Sequence, residues 1–397
     1  MLGSLKVLDF STLLPGPYAT MILADLGAKV VRVEAPGRFD YIREMEPKDG
    51  AESAAHQHLN RNKQSIALDL KKREAVEVVK RLVQEYDIVI EQFRPGVMER
   101  LGLDYDKLKA VNPELIYCSL TGYGQDGPYR DKPGHDINYL SLAGINGYSM
   151  RKGEPPVPMG IQIADIAGGS MHSVTAILAA VIHRKETGEG QYIDISMTDA
   201  SFALNAMFGS GYLAGGVNPE PEATELNGGT FYDYYETKDG RFVSVGSLER
   251  PFQKKLCEGL GMPNMAELAA SNQPKEQQIF KQAVREAFLE RTLAEWQDVF
   301  QHLDACVEPV LSFAEAAEHP QIQARDMIVD VTKENGAAQK QIASPFKFST
   351  YQQQYTFAGG PRGANTFDVL KQAGLSGDWI HSLADDGVFG EVLKKRG

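Results

Sequence analysis

Lys6-Val7-Leu8-Asp9-Phe10, then Leu13-Leu14-Pro15-Gly16-Pro17-Tyr18-Ala19-Thr20, then Ala28-Lys29-Val30-Val31-Arg32-Val33-Glu34 is the stretch that decides the fold. A short apolar run is followed by a Pro-Gly-Pro turn, a helical pattern reaching Gly27, and a second apolar run. Strand, turn, helix and strand in that order form a βαβ unit, which pairs its strands in parallel. Pro15-Gly16-Pro17 falls at the carboxyl end of the first strand, where parallel sheets build ligand crevices. A plain tight turn accounts for it equally well.

The alternation continues outward from this unit. Ser65–Leu70 reads as a strand, Lys72–Tyr86 as an amphipathic helix and Asp87–Gln92 as a strand. A helix over Leu101–Val111 and a strand over Leu115–Leu120 complete a third unit, and strand Gln191–Ser196 and helix Asp199–Leu213 follow later. Together they predict a large, doubly wound, Rossmann-like α/β domain with a parallel sheet over 1–213, completed by 326–397. Ala214–Asn227 is rich in Gly, Pro and Glu and reads as a linker. Phe231–Tyr235, the turn Lys238-Asp239-Gly240 and Phe242–Gly246 predict a hairpin. Helical patterns through Pro251–Gly259 and Lys275–Phe300 and a strand-like Cys306–Leu311 make 228–318 a second, smaller α+β domain. Residues 319–325 are the expected return linker. Beyond Gln321 the chain reads as loop-rich, with closing helices at Phe367–Gly374 and Asp378–Leu383.

Composition sets the outer bounds. The 397 residues, 43% hydrophobic and 24% charged, suit a soluble protein of two domains. A net charge of −12 argues against nucleic acid, whose phosphates demand clustered Lys and Arg. Cys118, Cys257 and Cys306 have no metal or redox spacing, which fits a reducing cytosol. The first residues lack a signal-peptide pattern, and no apolar run looks long enough to span a bilayer. The expectation is a cytoplasmic protein with no membrane partner. Gly122-Tyr123-Gly124-Gln125-Asp126-Gly127 matches the dinucleotide fingerprint formally, but Pro128 and Pro133 prevent the helix that the fingerprint requires.

Chemistry concentrates between Pro133 and Gly169. This stretch opens with Pro-Gly-His-Asp-Ile-Asn-Tyr (133–139) and closes with Ile-Ala-Asp-Ile-Ala-Gly-Gly (163–169). Asp165 reads as the N-cap of a long apolar helix over Ala167–Ile182, where unpaired N–H groups favour a carboxylate.

These residues, with several further motifs, resemble the family III CoA-transferase (CaiB/BaiF) superfamily over nearly the whole chain. The marks are Val-Leu-Asp-Phe-Ser-x-Leu-Leu-Pro-Gly-Pro (7–17), Asn-Arg-Asn-Lys-Gln-Ser-Ile-Ala-Leu-Asp-Leu-Lys (60–71) and Phe-Arg-Pro-Gly-Val-x-Glu-Arg-Leu-Gly (93–102). Thr-Gly-Tyr-Gly-Gln-Asp-Gly-Pro-Tyr (121–129) and Gly-Glu-Gly-Gln-Tyr-Ile-Asp (188–194) continue the set. Gly-His-Asp-Ile-Asn-Tyr (134–139) is similar to the α-methylacyl-CoA racemase branch, and the transferase branch usually has another residue in place of His135. Gly-Gly-Thr-Phe-Tyr (228–232) departs from that branch by lacking the proline before Phe231, and Gly-Ala-Asn-Thr (363–366) stands where many relatives carry a histidine.

The resemblance implies an acyl-CoA substrate, no permanently bound cofactor, CoA carried as part of the substrate, and an interlocked homodimer. It implies a two-base racemisation in which His135 and Asp165 serve opposite faces of the α-carbon, since one must be protonated when the other is not. Glu249 would orient His135, in cis or across the dimer, and Asp136 would polarise the same site. The backbone N–H groups opening the helix after Asp165 would stabilise the enolate oxygen. Arg38, Leu68, Arg94, Tyr129 and Arg130 would hold CoA, the arginines through its phosphates. The alternative is CoA transfer to a free carboxylate, with Asp165 as nucleophile.

Overall fold

The computed structural model describes residues 1–38 and 40–392. The chain divides into two compact units: Met1–Ala143 with Met159–Leu204 and Gln321–Gly397, and Gly144–Pro158 with Asn205–Pro320. Of the expected completion of the large domain, residues 393–397 lie outside the described residues.

In the first unit one sheet contains β1 (Lys6–Phe10), β2 (Lys29–Glu34), β3 (Lys63–Ala67), β4 (Ile88–Glu91), β5 (Ile116–Thr121) and β6 (Gln191–Ser196). All pairs are parallel and the order is 3-2-1-4-5-6. The strand order reverses between β1 and β4, so the crevice outside their carboxyl ends is the position for a ligand. The helices that concern the site are α1 (Pro15–Asp25), α2 (Arg73–Val83), α3 (Asp136–Leu142), α4 (Met171–Thr187) and α5 (Met197–Ala203).

A parallel sheet must be covered on both faces, and the β-branched strands supply the apolar surface. On one face Val78 and Leu82 of α2 pack with Leu8, Val31 and Val89 and with Leu370, Ile380 and Phe389 near the C-terminus. On the other, Leu23 of α1 and Val174, Ile177 and Val181 of α4 cover Val7, Val30, Ile90 and Cys118. Each such side chain contributes roughly 1.5–3 kcal/mol on burial. The turn before α4 runs into it without a break, so Ala164–Thr187 is one helix long and apolar enough to cross a membrane. The sequence reading that no run approaches that length is therefore corrected. Its apolar residues Val174, Ile177, Ala180 and Val181 are spent on the sheet.

Three expected helices are broken, Lys275–Phe300 dividing into Pro274–Phe288 and Leu293–Phe300. Leu101–Val111 becomes Val97–Leu101 and Tyr105–Lys109, because Gly102 turns left-handed at φ 74° and Asp104 caps the second piece by accepting from the Lys107 amide. Asp199–Leu213 becomes α5 and Phe208–Gly215, and the division between units falls at 204/205. Ile328–Thr332 and Ala338–Ile342 form a hairpin inside the stretch expected to be loop-rich.

The second unit carries an antiparallel sheet of β7 (Asp233–Glu236), β8 (Phe242–Val245) and β9 (Val307–Pro309), in the order 9-8-7. Phe231, Tyr235, Phe280, Phe288 and Trp296 form its core. Residues 144–158 belong here because Arg151 pairs with Asp233 at 2.5 Å and with Glu222 at 3.0 Å. Lys281, buried, pairs with Asp233 at 2.7 Å and donates to the Gly228 carbonyl at 2.6 Å.

Candidate active site

His135 stands at the N-cap of α3, with exposed side chain and extended backbone. Its amide donates to Asn138 Oδ1 at 3.0 Å, which closes the first turn. Tyr139, one helical turn on, donates from its hydroxyl to the Gly134 carbonyl at 2.5 Å and so fixes the Pro-Gly-His turn. A Cβ at Gly134 would lie 2.6 Å from the Tyr139 ring, and one at Gly122 would lie 2.5 Å from it. The glycines of both loops are thus consumed by close approach to one tyrosine. Tyr123 meets Tyr139 edge-on with centroids 5.2 Å apart.

Asp165 is not an N-cap. It is the second residue of a π-turn, Ala164–Ser170, which leads directly into α4. Such turns are rare and often mark functional positions. This one is packed through its glycines: a Cβ on Gly168 would meet Ser201 Oγ at 3.2 Å, and one on Gly169 would meet Met197 Cγ at 3.0 Å, both on α5. Asp136 joins the two candidate groups. Its Oδ1 accepts from the Asp165 amide at 3.1 Å, so α3 and the π-turn are held together by one carboxylate. It accepts from the Ala164 amide as well, and the Ile166 amide is spent on the Gln162 carbonyl at 3.0 Å. Of the N–H groups expected to receive an enolate oxygen, that of Ile166 is therefore engaged. Asp136 thus acts as a brace for the turn, and its charge also acts on Asp165.

The electrostatics follow from burial. Asp165 is pushed up to about 7 by desolvation and then by the charge of Asp136. Asp136 is itself raised by burial, against the pull of the two amides it accepts from. Two carboxyls this close titrate as a pair. A carboxyl near 7 exchanges protons readily at neutral pH, as an acid or as a base.

The other predicted residues divide by place. Arg94 and Arg130 line one cavity of about 400 Å³, together with Glu91, Tyr105 and Tyr192. Glu91 ends β4 and is buried, and desolvation raises it to about 7. Arg38 lines a second cavity of about 200 Å³, with Phe10, Phe93 and Leu70. Asp40, which lines the same cavity, pairs with buried Arg32. Burial opposes the ionisation of Glu34, but Arg32 and Arg43 hold it down to about 2. Phe93 faces one cavity and Arg94 the other, and both follow β4 at the strand-order reversal. Tyr129 is exposed and carries Lys132 Nζ 3.8 Å from its ring centre. Leu68 is a correction: it is fully buried in the core and its amide donates to the Glu34 carbonyl, so it offers a ligand no surface. Glu249 lies in the second unit, exposed at the N-terminus of helix Arg250–Gly259. Among the described residues no group of His, Cys, Asp and Glu can hold a metal.

Sequence reasoning passed over Gln92 and Ser170. Gln92 Oε1 accepts from the Gly16 amide at 3.1 Å, and Ser170 Oγ donates to the Pro15 carbonyl at 2.6 Å. The sequence offered a hint only for Gln92, as the residue before Phe93-Arg94-Pro95-Gly96.

The family model for CoA-transferase family III matches residues 2–366. The chain belongs to that family. The chain is 35% identical to the α-methylacyl-CoA racemase of Homo sapiens over 98% of its length and 97% of the relative's. It is also 35% identical to the succinate–glutarate CoA-transferase of Agrobacterium fabrum, over 94% of its length and 95% of the relative's. A solved CAIB/BAIF family protein from Brucella suis shares the fold with a TM-score of 0.80 and 30% identity, covering 94% of this chain and 99% of that one.

Proposed function

We propose that this family III member interconverts the epimers of 2-methylacyl-CoA thioesters by proton transfer through an enolate. The observation that carries the reading is the brace between the two candidate groups: the helix capped by His135 begins with Asp136, whose carboxylate holds the amide of Asp165. One base removes the α-proton, the other returns a proton to the opposite face, and the thioester carbonyl takes up the charge between the two steps. A carboxyl raised to about 7 suits this, since it must give a proton in one direction and take it in the other. CoA enters as part of the substrate and no resident cofactor is needed.

CoA lies along the carboxyl ends of β1 and β4, with Arg94 and Arg130 on one side and Arg38 on the other. Arg94→Ala should raise KM for acyl-CoA about 10-fold and leave kcat nearly unchanged, as loss of a charge-assisted contact made equally in ground and transition states. Steady-state kinetics on one thioester decides it, and a fall in kcat at unchanged KM would remove Arg94 from this role. The active protein is a cytoplasmic homodimer in this reading, with Glu249 supplied to His135 in cis or by the partner.

A second reading has equal support from sequence identity: CoA transfer between an acyl-CoA and a free carboxylate, with Asp165 as nucleophile. The deciding experiment is incubation with (S)-2-methylacyl-CoA in D₂O without an acceptor acid, followed by NMR at C2. Deuterium entering with loss of optical purity supports racemisation. No exchange across several acyl chains, with CoA transfer to added acids, establishes the second reading.

A further inference from the structure

The π-turn bearing Asp165 is anchored at a point remote from its carboxyl. Ser170 is fully buried, and its hydroxyl has one proton to offer and two carbonyls in reach. Pro15 O is the nearer at 2.6 Å, and Asp165 O lies at 3.0 Å. The peptide joining Pro15 to Gly16 is gripped from both ends, because the Gly16 amide donates to Gln92 Oε1 at 3.1 Å. Its position is otherwise unyielding: a Cβ on Gly16 would fall 2.1 Å from Ser11 Cβ. One peptide group therefore ties the π-turn to α1 and to the segment that carries Arg94.

We propose that Ser170 is a positioning residue for Asp165, holding its turn in the π geometry through the Pro15–Gly16 peptide. The proposal rests on the reading of Asp165 as a proton-transfer group. A π-turn carries an extra residue in its hydrogen-bonded loop compared with an α-turn. Released from its anchor, it relaxes toward α geometry, turns Asp165 about the helix axis and admits water beside the carboxyl. Geometry and desolvation are then lost together.

Ser170→Ala should lower kcat about 10-fold with KM within about twofold, because misplacement of a reacting group is felt in the transition state. The pH limb assigned to Asp165 should move to lower pH as its surroundings become wetter. Ser170→Cys keeps a weak donor on a somewhat larger side chain, so its loss should be intermediate. Thermal unfolding is recorded beside the kinetics. A folded Ser170→Ala with wild-type kcat and pH profile overturns the proposal, and so does a loss of kcat with an unmoved limb. If Ser170→Ala does not fold, Ser170→Cys decides by the same two readouts. Asp165→Asn separates the levels: full exchange activity in that variant removes Asp165 from the reaction and the role of Ser170 with it.

Discussion

His135→Ala should reduce deuterium incorporation at C2 of a (S)-2-methylacyl-CoA by about 10²–10⁴-fold, the usual contribution of a positioned general base. His135 is exposed and sits at an N-cap whose closure comes from Asn138 and Tyr139, through backbone groups. Removing the imidazole therefore leaves α3 and the Asp136–Asp165 brace in place, and unfolding does not explain the loss. The same variant should retain most CoA transfer to a free acid if the protein carries out that reaction. Asp165→Ala cannot discriminate, since both routes need the carboxyl. The measurement is NMR of C2 in D₂O for wild type and both variants; a His135→Ala protein that exchanges at the wild-type rate ends the two-base reading.

The second large effect is in pH, and its sign differs between the two chemistries. In a two-base route the His135–Asp165 pair must hold one proton between its members. The free-enzyme profile of kcat/KM is then a bell, nearly the same for both epimers because the equilibrium constant is close to unity. Burial, and then the charge of Asp136, bring Asp165 up to about 7. Loss of the last proton thus makes the rate fall about 10-fold per unit on the alkaline side, at or above that value. A nucleophilic Asp165 behaves in the opposite sense. It must be ionised, so the rate climbs about 10-fold per unit below about 7 and then stays level. Profiles of kcat/KM from about pH 6 to 9 separate the cases: an alkaline plateau overturns the two-base mechanism.

The parallel sheet was legible because each strand announces itself locally. Val30, Val31 and Val33, or Ile88 to Ile90, are dense apolar runs that only a sheet buried on both faces can absorb. Of the groups the family motifs singled out, Asp136 and Asp165 are joined through α3 and the π-turn, and His135 stands at the N-cap of the same α3. Less visible was whatever depends on distant packing. Asp165 looks like an N-cap because a carboxylate precedes an apolar helical run, and only Gly168 and Gly169 against α5 reveal the π geometry. Leu68 belongs to a motif, yet the core claims its side chain. Residues 144–158 read as part of the large domain, but Arg151 pairs with Asp233 far along the chain, a partnership no local pattern signals.

One face of the large sheet has a particular history during synthesis. Leu8, Val31 and Val89 emerge early, while Leu370, Ile380 and Phe389, which pack with them, emerge near the end. At ribosomal rates the interval is on the order of 10–60 s, long compared with collapse of the nascent strands. Residues 205–320 can acquire their own aromatic core in that interval. The N-terminal sheet cannot complete its core until the last helices arrive. A nascent chain stalled within the second unit thus displays an apolar β surface, and holdase chaperones should engage that face before the finished protein ever meets a substrate.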